Sequence, residues 1–251
     1  MGTRLAGKRA LVLGAGGNLG AEIARGFAQE GADLILSSLT DDGIAQMAEE
    51  MRGHGRRVSH IAADLTKDAD IDHLAEASWQ ALGGIDIVFI SSQPANPRMG
   101  DLLGTSDENW KTWFQTMVWG PLRLMRALAP RMMAAGGASV ITVTSSTSED
   151  PQPGFDAYGL GKAGLWWLTL CMAREWGEHG IRVNALQPGM VATAGNCAEL
   201  EAVARANGLF DRTALRRVGV NEDCVGAAIF LASDESLYVS AQKLKVDGRR
   251  I

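Results

Sequence analysis

The stretch that decides the fold is Lys8-Arg9-Ala10-Leu11-Val12-Leu13-Gly14-Ala15-Gly16-Gly17-Asn18-Leu19-Gly20-Ala21-Glu22-Ile23-Ala24-Arg25-Gly26-Phe27-Ala28. Its first third is a short apolar run of strand type, its last third is apolar at helical spacing, and four glycines stand between them. Strand, glycine turn and helix in that order bring backbone N–H groups and a helix N-terminus to one point. A pyrophosphate can be held there, and side chains on the turn would obstruct it. Asn18 stands where a further glycine is expected, and Asn is the residue that best tolerates left-handed backbone angles in its place.

Working outward, the same alternation repeats. Strands are expected over 33–37, 58–63, 85–90, 138–144, 181–186 and 243–246, with helices over 41–52, 68–82, 107–133, 163–176 and 221–232. Pro121 is expected to bend the long helix, whose Trp110, Trp113 and Trp119 read as core or subunit-interface residues. The fourth strand, Ile85–Ile90, is apolar throughout, as the centre of a parallel sheet requires. The segment from about 190 to 217 mixes small and charged residues without a clear buried face and reads as a lid. The chain is therefore expected to be one α/β domain, residues 1–251, a doubly wound parallel sheet flanked by helices. Its ligand crevice would lie at the carboxyl ends of the strands.

Composition excludes other classes. The 251 residues carry a net charge of −5, which gives no electrostatic reason for nucleic acid or an anionic membrane as partner. No apolar run approaches a membrane span, and the N-terminus runs straight into a strand, so a cytoplasmic protein is expected. Cys171, Cys197 and Cys224 form no metal or disulfide pattern and read as reduced thiols.

Chemistry concentrates between Ser145 and Lys162. The strand over 138–144 ends in Ser145-Ser146-Thr147-Ser148, and Tyr158 opens the following helix with Lys162 four residues on, one above the other on the same face. An ammonium beside a phenol favours the ionised form, which would let Tyr158 exchange protons near neutrality. Ser145 could hold a carbonyl or alcohol oxygen. At the second strand's end, Ser37-Ser38-Leu39-Thr40 offers no carboxylate to repel a 2′-phosphate and no cation to hold one. This tilts the expected cofactor to NADP(H) over NAD(H). Asp64, closing the third strand, is placed to accept from an adenine amino group or to cap the next helix.

Together these residues resemble the short-chain dehydrogenase/reductase family, in its 3-oxoacyl-reductase-like branch, and the resemblance spans nearly the whole chain. Gly14, Gly16, Gly17, Asn18, Leu19 and Gly20 are similar to its glycine-rich turn. Tyr158 and Lys162 match its YxxxK, Pro188-Gly189 its PG turn, Val246-Asp247-Gly248 its C-terminal end, and Asp64 its adenine contact. The likeness implies a Rossmann-type fold with cofactor contacts from Ser38, Leu65, Ser91, Ser92, Val191 and Thr193 as well. It implies hydride transfer between nicotinamide and a carbonyl or secondary alcohol. Tyr158 would act as acid and base, Lys162 would lower its pKa and hold the ribose, and Ser145, or Ser146 in a shorter loop, would orient the substrate oxygen. Two positions depart from the pattern. Ile90-Ser91-Ser92-Gln93 replaces NNAG, and Met117 replaces the long-helix Asn whose amide helps a water connect the lysine to solvent.

These departures motivate an alternative, a cofactor-binding or regulatory protein with impaired catalysis. The resemblance also implies a homo-oligomer, dimer or tetramer, with Trp119, Trp166 and Trp167 as interface candidates. The expected substrate is an apolar or aromatic-sized ketone or alcohol, because the loops over 94–103, 152–156 and 190–217 show no charge clamp.

Overall fold

The computed structural model describes residues 3–53, 55–95, 98–192, 195–206, 208, 210 and 213–248. Seven strands form one parallel sheet: β1 (Arg9–Leu13), β2 (Asp33–Ser38), β3 (Val58–Ala62), β4 (Ile87–Ile90), β5 (Ala138–Val143), β6 (Ile181–Pro188) and, from the chain's end, β9 (Lys243–Val246). Their spatial order is β3-β2-β1-β4-β5-β6-β9. Succession therefore runs outward in one direction from β1 to β3 and in the other from β4 onward. That reversal opens a crevice above the carboxyl ends of β1 and β4. The short pair β7 (Val191–Ala192) and β8 (Gly219–Val220) forms a separate two-stranded parallel sheet.

The central strands are apolar because both faces are covered. In β1, Ala10 and Val12 face one core and Leu11 and Leu13 the other, all at 0–2% exposure. Helices α1 (Asn18–Gln29), α2 (Ile44–Gly53) and α8 (Val225–Ala232) supply Phe27, Met47 and Ile229 to the first core. Helices α3 (Asp68–Leu82), α5 (Gly120–Ala134) and α6 (Asp156–Trp176) supply Leu74, Leu128 and Met172 to the second. Among the described residues no helix is long and apolar enough to cross a membrane.

Three local expectations are corrected. The left-handed residue of the glycine turn is Gly14, at φ +84°, while Asn18 is the first residue of α1 in ordinary helical geometry. Where a bend is expected at Pro121, the irregularity in the winding lies one turn earlier. Helix α4 (Asp107–Phe114) passes through a π-helical stretch, Gln115–Trp119, into α5, and the Gly120 N–H reaches the Gln115 carbonyl five residues back. Proline lacks an N–H and its ring presses on the carbonyl four residues back, so the winding loosens just ahead of it. Finally, the segment expected to lack a clear buried face holds helix α7 (Cys197–Ala206), whose buried Ala204 packs with Ala192 and Val218 in a small apolar cluster.

Candidate active site

The crevice is a cleft of about 1110 Å³. One end is built from the glycine turn. Gly14 lies so close to β4's exit that a Cβ on it would meet the Ser91 carbonyl oxygen at 2.5 Å. A Cβ on Gly20 would fall 2.2 Å from the Gly14 oxygen, and one on Gly16 would fall 2.5 Å from the Ser38 hydroxyl. No side chain caps α1, so its first N–H groups face the cleft where Gly16, Gly17, Asn18, Leu19 and Gly20 line it. This bare, tightly wound donor set fits a dinucleotide pyrophosphate.

Ser38, Leu39, Thr40, Asp64, Leu65, Ser91 and Ser92 continue the wall. The Asp64 carboxylate accepts from the Thr66 N–H at 2.9 Å and the Thr66 hydroxyl at 2.7 Å and pairs with Lys67 at 3.3 Å. Burial raises its pKa, but these partners outweigh burial and hold it below the ordinary carboxylate range. Lys67, not Asp64, occupies the N-cap of α3, so the capping alternative does not apply. The Ser92 hydroxyl donates to the Thr116 carbonyl at 3.0 Å and ties β4's exit to the π stretch. Pro188, Gly189 and Val191 line the far side, with Gly189 pressed against Asp247. Thr193 lies outside the described residues.

Ser145, Tyr158 and Lys162 meet at the other end of the cleft. Ser146 does not line it. The Lys162 ammonium, 1% exposed, donates to the Val143 carbonyl at 2.7 Å and sits 5.6 Å over the Tyr158 ring. Burial lowers its pKa to about 7. Burial also raises that of Tyr158, and the Ser145 hydroxyl is the neighbour that favours the phenolate. This corrects the sequence expectation, because burial rather than the lysine sets the shift of the phenol, which stays protonated at neutral pH. Trp113, 1% exposed, packs edge-on against Tyr158 with ring centres 5.5 Å apart. Met117 is fully buried, its sulfur 2.9 Å from where a Gly161 Cβ would stand, immediately before Lys162.

Several lining residues were not legible in the sequence. Gln115 and Thr116 reach the cleft from the π stretch, Asn221 from beyond β8, and Arg98 from the loop after β4. None lies in a motif, and a 3.6-residue period does not reveal a π turn.

A family profile described as enoyl-(acyl carrier protein) reductase matches residues 14–248. Human dehydrogenase/reductase SDR family member 4 is 32% identical over 97% of this chain and 87% of its own. A gluconate 5-dehydrogenase from Burkholderia cenocepacia, solved with NADP and tartrate, superposes with a TM-score of 0.88 at 31% identity over 98% of this chain and 96% of its own. A 7α-hydroxysteroid dehydrogenase, solved with NADH and 7-oxo glycochenodeoxycholic acid, does so with 0.89 at 29% identity over 99% and 96%. With its glycine turn, strand order and Ser145, Tyr158 and Lys162 in one cleft, the chain belongs to the short-chain dehydrogenase/reductase family of NAD(P)-dependent oxidoreductases.

Proposed function

We propose that this enzyme reduces an apolar or aromatic-sized ketone to the alcohol, or runs the reverse, with Ser145, Tyr158 and Lys162 as its working groups. The observation that carries the reading is their convergence at one end of a cleft whose other end is the uncapped start of α1. When bound, the nicotinamide supplies or accepts hydride at C4. Ser145 holds the substrate oxygen, and Tyr158 delivers its proton to that oxygen or takes it back. A phenol kept protonated by burial suits the reducing direction. Lys162, fixed by the Val143 carbonyl, holds the ribose of the cofactor beneath Tyr158. The regulatory alternative draws no support from the relatives, which are dehydrogenases and reductases.

NADP(H) is the proposed cofactor. Ser38 and Thr40 line the adenosine end with hydroxyls, and the carboxylate that lines it with them, Asp64, is engaged by Thr66 and Lys67. Self-association into dimers or tetramers is proposed from Phe114, Trp119 and Trp167, which stand 51%, 42% and 69% exposed. A cytoplasmic site of action is proposed from three unpaired cysteines. Tyr158→Phe tests the central assignment: turnover on an aryl ketone panel should vanish while NADPH still binds, and retained turnover removes Tyr158 from the chemistry. Sedimentation as a monomer would overturn the oligomer.

A further inference from the structure

A second recess, of about 310 Å³, is lined by the β5–α6 connection, the start of α6, Leu102 and Trp110. Thr147, Ser148, Glu149 and Asp156 supply its polar wall. Ser145 lines the cleft and Thr147 lines the recess, so the contact between these two side chains links the two linings. The Thr147 hydroxyl donates to Ser145 Oγ at 3.0 Å, and the Thr147 N–H approaches the same oxygen at 3.3 Å. With its oxygen accepting from Thr147, Ser145 has its single O–H left to donate toward Tyr158 or a substrate oxygen. Lys162 is buried against the Val143 carbonyl, and the Met117 thioether, which relays no proton, fills the space beside Gly161.

Resting on the function proposed above, we propose that Thr147 is the gate of this enzyme's proton route, which runs from solvent in the recess through Thr147 Oγ1 and Ser145 Oγ to the Tyr158 phenol. In reduction, the hydride forms the new C–H bond and Tyr158 breaks its O–H bond to protonate the substrate oxygen. Once the alcohol has left and freed its O–H, Ser145 passes its proton to the phenolate, Thr147 passes its own to Ser145, and a solvent molecule in the recess restores Thr147. Each hydroxyl gains one proton as it loses one, and oxidation runs the same chain outward. Thr147 touches neither substrate nor cofactor and acts through Ser145.

The test uses NADPH and 1-phenyl-1,2-propanedione, an activated aryl ketone, with the full-length protein. Thr147→Val keeps the shape and removes the hydroxyl. The expected result is a kcat lowered about a hundredfold at unchanged KM, at the lower end of what proton-transfer groups contribute, with a larger solvent deuterium isotope effect than the wild type's. Thr147→Ser, which restores the hydroxyl, should return both. Thr147→Ala gives the same reading should the valine variant not fold. Wild-type kcat and isotope effect in the valine variant would overturn the route, as would equal impairment of the valine and serine variants. Tyr158→Phe run alongside separates the two readings: if it is dead while Thr147→Val is unimpaired, the route fails and the proposed function stands. If the wild type turns over neither this ketone nor the wider aryl ketone panel, the function fails and takes the route with it.

Discussion

Lys162 carries a stability cost that can be measured apart from catalysis. Its ammonium titrates at about 7 rather than the ordinary 10.5 because burial penalises the charge. At ~1.4 kcal/mol per pH decade, the difference is worth about 5 kcal/mol at most. The sign follows from proton counting. Between those two values the unfolded chain binds the proton and the folded chain does not, so stability rises as pH climbs through the window. The cost is full below about pH 7 and gone above 10.5. Lys162→Met keeps the length and removes the charge, but it strips the Val143 carbonyl of its donor, a loss of about 1–2 kcal/mol. The variant should therefore be inactive yet more stable than the wild type by about 3 kcal/mol at pH 6, the gap closing near pH ~9.5. Urea unfolding followed by tryptophan fluorescence at pH 6, 7.5 and 9.5, at one protein concentration, measures this directly. A variant less stable at pH 6, or a gap that does not narrow with rising pH, would refute the buried-charge account.

Gly20→Ala should weaken NADPH binding more than about tenfold in a fluorescence titration, because its Cβ would drive the helix start off the Gly14 carbonyl. Wild-type affinity would show that the turn is not the pyrophosphate seat. Asp223, held by Arg217 at 2.6 and 2.8 Å, has its pKa lowered to about 2. Its stabilisation is present above the ordinary 3.8 and is lost as pH falls toward 2, so Asp223→Asn should flatten the acid limb of the stability curve and raise the substrate KM by loosening β8. Lys243→Met should lower the thermal midpoint by a few degrees, of the order of a ~1 kcal/mol contact. The Lys243 ammonium lies 4.5 Å over the Trp166 ring and 2.7 Å from Glu149 and so joins β9 to α6 and the Ser145 loop; an unchanged midpoint would show that this junction is idle.

The sheet was legible because buried parallel strands announce themselves as apolar runs, and Leu13 flowing into Gly14 fixed where the crevice opens. Tyr158 and Lys162 were legible because four residues in a helix make one face. Their electrostatics were not, since spacing places Lys162 beside Tyr158 but only the fold shows its hydrogen bond going to Val143. Pro121 flagged a disturbance, yet its displacement into 115–119 depends on packing, and with it the arrival of Gln115 and Thr116 in the cleft. Asn18 misled because tolerance of left-handed geometry is not a demand for it. Thr147 lay hidden in a run of hydroxyl residues, where composition cannot say which oxygen turns inward.

The pairing of Val191–Ala192 with Gly219–Val220 has an evolutionary reading. The chain between these strands starts and ends at adjoining points, with the Leu215 N–H also donating to the Gly248 carbonyl at 3.2 Å, so its length changes at the small logarithmic cost of loop closure. Length changes there would leave the sheet, the glycine turn and the Ser145–Tyr158 geometry as they are. Diversification of such a segment is then a matter of varying its length on a constant frame.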